Sequence, residues 1–222
     1  IHDAVFKDIY DFYIKSNESV FPKNYYDSSE QDIFGVLSNV KGALNPDDFE
    51  NEITRLTIES IQAIKVIQGN NGELGANRYI ISNNENALNV METFALIRLS
   101  DWENPTVDVV PLFESVDDLL NAHNVMEQLY TNPVYANHLV NREMKQTIML
   151  GFSDGTKDGG YLMANWSIYK AKEELTAISR KYGIKVIFFD GRGGPPSRGG
   201  GKTHKFYASL GPKIENNEIQ IT

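Results

Sequence analysis

Four short apolar runs rich in β-branched and aromatic residues, at 79–81, 107–112, 147–150 and 185–189, are each followed by a helix-like or glycine-rich stretch. Strands that alternate with helices join through crossovers, and a crossover within one sheet is right-handed and makes the strands parallel. The chain therefore reads as a helix-rich α/β fold. After the second run, Ser115 and Asp118 are spaced as a capping box that opens a helix. After the third, Ala164, Ile168, Ala171, Leu175, Ile178 and Tyr182 step at helical spacing, and Gly183 supplies the stop.

Four strands are half of an eight-stranded (β/α) barrel, and no internal repeat supplies the rest. A half barrel leaves open parallel edges, so the chain is expected to be an internal piece of a longer protein. The absence of a starting Met and a strand-like EIQIT at 218–222, which reads as a strand cut in mid-unit, carry the same expectation. The first 75 residues read as helical. In 53–68, Ile53, Leu56, Ile64 and Ile67 fall near one stripe, with Gly69 as the stop. The expected organisation is a helical segment, 1–75, and a partial barrel, 76–222, both parts of one larger catalytic domain.

Composition removes several classes of function. No window approaches 18 consecutive apolar residues, so no membrane span is expected, and the start IHDAVFKDIY is no signal peptide. The chain has no cysteine, which removes disulfides, thiolate nucleophiles and cysteine-bound zinc and fits a cytoplasmic protein. A formal net charge of −9 argues against a broad nucleic-acid surface. Yet between Arg180 and Lys205 seven bases face a single acid, Asp190. Bases interleaved with glycines just past a strand suit a small anion.

Chemistry-bearing residues gather at strand ends. Glu114, Asp154 and Arg192 each follow a strand by a few residues, where parallel α/β folds and (β/α) barrels build their ligand sites. Two carboxylates with no cysteine and few histidines suit a hard cation, Mg²⁺ or Mn²⁺. The stretch GFSDGTKDGG at 151–160 reads as a glycine-bounded loop feeding a helix N-terminus, with Lys157 able to hold a carboxylate or bicarbonate. In FFDGRGGPPSRGGGKTH, six glycines, two arginines and a lysine follow a strand as an anion cradle, against the plainer alternative of a Gly/Pro linker. A Walker A loop ending in Gly201, Lys202 and Thr203 would need glycine at Pro196; the near miss keeps a nucleotide-binding protein as the second reading. Of the four histidines, His2, His123, His138 and His204, only His204 follows the glycine stretch; His123 and His138 read as structural.

Taken in order and spacing, VVPLFES at 109–115, GFSDGTKDGG at 151–160 and GRGGPPSRGGG at 191–201 resemble three signature stretches of phosphoenolpyruvate carboxylases. RYIIS at 78–82 and the helix NWSIYKAKEEL match more weakly, and the helical start only loosely. The resemblance implies a (β/α)₈ barrel of the phosphoenolpyruvate/pyruvate-domain type, usually tetrameric. It implies an enzyme, a carbon–carbon lyase, that adds bicarbonate to phosphoenolpyruvate and gives oxaloacetate and phosphate, with Mg²⁺ or Mn²⁺. Carried over by position, Glu114 and Asp154 would bind the metal. Arg192 would hold the substrate phosphate, with Gly193 and Gly194 beside it. Arg198 would act on carboxyphosphate and meet inhibitory aspartate or malate. Lys157 would stand beside the reacting groups, and Leu112 would line the pocket around the methylene carbon. The chain departs from the pattern at Asp190, where the family commonly has histidine, at Pro195 and Pro196, and at Lys202. The family's catalytic histidine motif and a second substrate arginine are not among these 222 residues, so the isolated chain is expected to be inactive.

Overall fold

The computed structural model describes residues 2–16, 19–191 and 201–221. The chain divides into two compact units, Ile1–Arg78 with Leu88–Val107, and Tyr79–Ala87 with Asp108–Thr222.

The first unit is helical. It holds α1 (His2–Lys15), α2 (Glu30–Asn39), α3 (Glu52–Asn71) and most of α4 (Ala87–Leu99). Ser29 and Asn51 cap α2 and α3 by accepting from the first-turn N–H groups of Asp32 and Ile53. A knot of rings forms part of its core, with Phe6, Phe21 and Tyr25 almost fully buried and in edge-on or tilted contact. Two expectations fail in α3. The helix runs through Gly69 and stops at Gly72, whose φ of 84° and ψ of 160° are open to glycine and to few other residues. Its buried stripe is Thr54, Ile58 and Ile61, while Ile53, Leu56 and Ile67 are exposed and Ile64 is half-buried. Apolar residues surround this helix, so spacing alone could not choose the buried face.

The second unit is built on a sheet of β1 (Arg78–Ile81), β2 (Asp108–Phe113), β3 (Lys145–Leu150), β4 (Lys185–Asp190) and β5 (Ile219–Ile221), in that spatial order. The pairs β2–β3, β3–β4 and β4–β5 are parallel, with Leu112 opposite Met149 and Met149 opposite Phe189. A doubly wound sheet reverses its strand order at a switch point. This one never reverses, which is the order of a barrel segment. All four expected strands are present, and the strand-like 218–222 supplies the fifth.

α5 (Val116–Thr131), α6 (Pro133–Asn141), α7 (Ser153–Lys181) and α8 (Thr203–Ala208) complete the unit. The capping box at Ser115 and Asp118 forms with both of its hydrogen bonds. Leu119, Ala122, Val125, Met126 and Leu129 of α5 are buried, and α5 packs along α7. Each such side chain contributes about 1.5–3 kcal/mol if it is large and aliphatic. Beyond α7, Gly183 takes φ 70° and the N–H of Ile184 reaches back to the carbonyl of Ser179, the closing bond of a Schellman turn.

Two features of α7 differ from expectation. The stretch 151–160 is not a loop: the chain is helical from Ser153, breaks at Gly160 (φ 76°, ψ 170°), and resumes. Its buried stripe is also more polar than its spacing suggests. Ala164, Ala171 and Leu175 are buried as expected, but Ile168, Ile178 and Tyr182 are only half-buried, and Ser167, Lys172, Thr176 and Ser179 take places in the core. Among the described residues no helix is long and apolar enough to cross a membrane.

Candidate active site

The carboxyl ends of β2, β3 and β4 approach one another through glycine. The N–H of Gly151, just past β3, donates to the carbonyl of Phe113 at 2.8 Å. A Cβ at Gly151 would stand 3.1 Å from the Cα and 3.3 Å from the Cγ of Glu114, and one at Gly191 would stand 3.3 Å from the carbonyl oxygen of Leu150. Each strand exit thus leans on the end of the strand before it, closer than a side chain comfortably allows. GFSDGTKDGG and GRGGPPSRGGG each begin at one of these contacts.

Glu114 follows β2 and is half-buried. Its Oε2 accepts from the backbone N–H of Asn83 at 3.1 Å. Asn83 sits just past β1 at φ 54°, a left-handed conformation that asparagine tolerates better than most residues. One carboxylate oxygen is therefore held by the backbone, which leaves further lone pairs for other partners. Alternation along the strand puts Leu112 on the same side as Glu114, and Leu112 and its register partner Met149 are both half-buried, whereas Phe113 and Leu150 are fully buried. Met149 is a member of this surface that the sequence did not single out.

The other expected residues are placed unevenly. Asp154 lies in the first helical turn of α7, but its side chain is outside what the structure describes. Lys157 follows on the same segment, exposed. Arg192, Gly193, Gly194, Pro195, Pro196 and Arg198 lie outside the described residues. Among the described residues no group of three or more histidines and acids is placed to hold a metal ion. Glu114 fits a hard cation by its donor chemistry, since such ions bind to one or two carboxylates and take their other oxygens from water and substrate.

Asp190 ends β4 and is buried at 4% exposure. The ammonium of Lys172, on α7, lies 2.8 Å from each of its oxygens, and the Tyr207 hydroxyl of α8 donates to Oδ2. Burial, and then the carboxylate it donates to, push the Tyr207 hydroxyl up from its ordinary value. Asp190 is thus committed to structural partners and is no free base. Lys172 and Tyr207 escaped the sequence reading. A signal existed in the first case: a lysine next to Ala171 on the apolar stripe of α7 must either reach out to solvent or find an anion.

His123 faces Glu174 at 3.1 Å on the surface, His138 is buried beside the Tyr135 ring, and His204 is exposed on the first turn of α8. Lys202 stands as the exposed N-cap of α8, a helix of six residues.

Comparison with known proteins gives the family. The family model described as phosphoenolpyruvate carboxylase matches residues 14–222. The phosphoenolpyruvate carboxylase of Nitrosomonas eutropha is 30% identical over 232 aligned positions, which take in 100% of this chain and 24% of the relative. That of Nitrosomonas europaea is 29% identical over the same span, and that of Rhodothermus marinus is 34% identical over 201 positions, 84% of this chain and 21% of the relative. The chain therefore spans about a quarter of the length of these curated relatives. The match gives the nucleotide-binding reading of Gly201, Lys202 and Thr203 no support. The chain belongs to the phosphoenolpyruvate carboxylase family.

Proposed function

We propose that this chain carries the metal- and phosphate-binding strand ends of an enzyme that carboxylates phosphoenolpyruvate with bicarbonate, giving oxaloacetate and phosphate. The observation that carries the reading is the meeting of Glu114 with Gly151 and of Leu150 with Gly191, at the start of the two stretches that bear Asp154, Lys157, Arg192 and Arg198. Residues 1–75 and 76–222 would belong to one catalytic domain of a cytoplasmic homotetramer. The product would replenish the tricarboxylic acid cycle, and aspartate or malate would inhibit.

In this reading Glu114 and Asp154 would hold Mg²⁺ or Mn²⁺, which would supply positive charge to phosphate and enolate oxygens. Arg192 grips the phosphate by its planar fork, with the N–H groups of Gly193 and Gly194 beside it. A bicarbonate oxygen attacks phosphorus and the bond from phosphorus to the enol oxygen breaks, leaving the enolate and carboxyphosphate. Arg198 and Lys157 neutralise the charge that gathers there. Carboxyphosphate parts into phosphate and carbon dioxide, and the enolate methylene carbon then takes up the carbon dioxide. Leu112, with Met149 beside it, offers the apolar surface that keeps water from that carbon.

The test is Mn²⁺ binding by electron paramagnetic resonance, with and without phosphoenolpyruvate, on this chain and its Glu114→Ala/Asp154→Ala variant, repeated on the intact protein. Binding that phosphoenolpyruvate tightens and the variant loses is the expected result. An intact protein whose Mn²⁺ affinity ignores both carboxylates would overturn the assignment. The isolated 222 residues are expected to form no oxaloacetate.

A further inference from the structure

We infer that Lys172, Asp190 and Tyr207 form a buried tether that fixes the direction in which β4 leaves the sheet, which makes Lys172 a positioning residue for the arginine two residues past the strand, Arg192. The inference rests on the function proposed above for Arg192. The pair is withdrawn from solvent: Lys172 is 2% exposed and Asp190 4%. The ammonium also lies 5.4 Å from the centroid of the Phe188 ring and 5.6 Å from that of Tyr207, so aromatic faces enclose what the carboxylate does not. A cavity of about 250 Å³, lined among others by Phe152, Ile168, Phe206 and Leu210, adjoins the pair and is mostly apolar.

An ion pair in such surroundings is a poor device for stability, because apolar side chains of the same volume serve as well or better. What it supplies is direction. Asp190 is the last residue of β4; Lys172 of α7 reaches both of its oxygens, and Tyr207 of α8 donates to Oδ2 as well. α7 is the element that begins with the turn bearing Asp154 and Lys157. Lys172 lies past the break at Gly160, so the tether couples the exit of β4, where the proposed phosphate-binding sequence starts, to the long second segment of α7. Lys172 is too deeply buried to reach substrate, and it acts through Asp190.

The experiment compares Lys172→Met, Asp190→Asn and the double variant in the intact protein. Each single change strands one buried charge and is expected to lower the melting temperature; the double variant, with no charge left, recovers most of that loss. Positioning predicts a different pattern for substrate. The KM for phosphoenolpyruvate rises about tenfold in all three, with kcat within about threefold, and the double variant does not recover it. Tryptic cleavage after Arg192 and Arg198, which needs no substrate, is expected to quicken in all three. A double variant with wild-type KM and wild-type cleavage would overturn the tether and leave the pair a packing feature. If the wild-type protein does not use phosphoenolpyruvate, the proposed function falls, and the cleavage rates alone decide the tether: unchanged rates refute it and faster rates uphold it.

Discussion

The two ends of the parallel sheet are built on opposite terms. At the amino ends of the strands, polar groups are paired among themselves. Asp108 opens β2 and accepts from Arg142 at 2.6 Å, and Gln146 at the start of β3 accepts from the buried Tyr135 hydroxyl and donates to the carbonyl of Val109. At the carboxyl ends, backbone is pressed against backbone at Gly151 and Gly191, and Glu114 has one oxygen held by Asn83 with the side chain half open to solvent. The amino end uses its polar groups to hold the sheet together, and the carboxyl end, although Asp190 is likewise paired with Lys172 and Tyr207, leaves Glu114 partly open. That is the asymmetry by which a (β/α) barrel separates stability from chemistry.

Substitutions can break this contrast. The largest stability loss is expected from Asp108→Ala, which deprives the largely buried guanidinium of Arg142 of its carboxylate; the cost is on the order of 3 kcal/mol in urea unfolding, with Mn²⁺ affinity unchanged. An equal loss of Mn²⁺ binding would mean that the two ends are not separable. Gly151→Ala comes next. Its methyl must push Glu114 aside, so about 2 kcal/mol should be lost together with Mn²⁺ affinity, the one change expected to damage both. Retention of metal binding in that variant would show that the close contact merely packs the strand ends. Ser115→Ala removes half of the capping box and is expected to cost about 1 kcal/mol, seen in the same unfolding curves. The smallest stability effect belongs to Glu114→Gln, within about 0.5 kcal/mol of wild type, because the amide oxygen can still accept from Asn83. Metal binding should nevertheless fall sharply in that variant, and a large stability loss instead would make Glu114 a structural residue.

Much of the fold that carries the candidate site was legible in sequence because its signals are local. The alternation of apolar runs with helices, the capping box at Ser115 and Asp118, and the stop at Gly183 each involve residues a few positions apart, and all appear in the structure. The glycine stretches were legible by composition, although 151–160 is mostly helical: its glycines serve close contacts at Gly151 and a break at Gly160, not a loop throughout. The partners of Asp190 were not legible. Spacing along α7 predicts a stripe of six apolar or small residues, and only the packed structure puts Lys172 in the core and gives it an anion.

The sequence by itself determined the class of fold and the order of the strands along the chain, since periodicity, capping and strand–turn spacing act over one or two turns of chain. Tertiary structure alone decided which face of α3 is buried, that Asn83 holds Glu114, that Glu114 lies close enough to Gly151 to crowd any side chain there, and that Lys172 and Tyr207 share Asp190. These contacts join residues from different elements, and neither member carries a local mark of the other. Which residue meets which is settled only when the helices and strands pack.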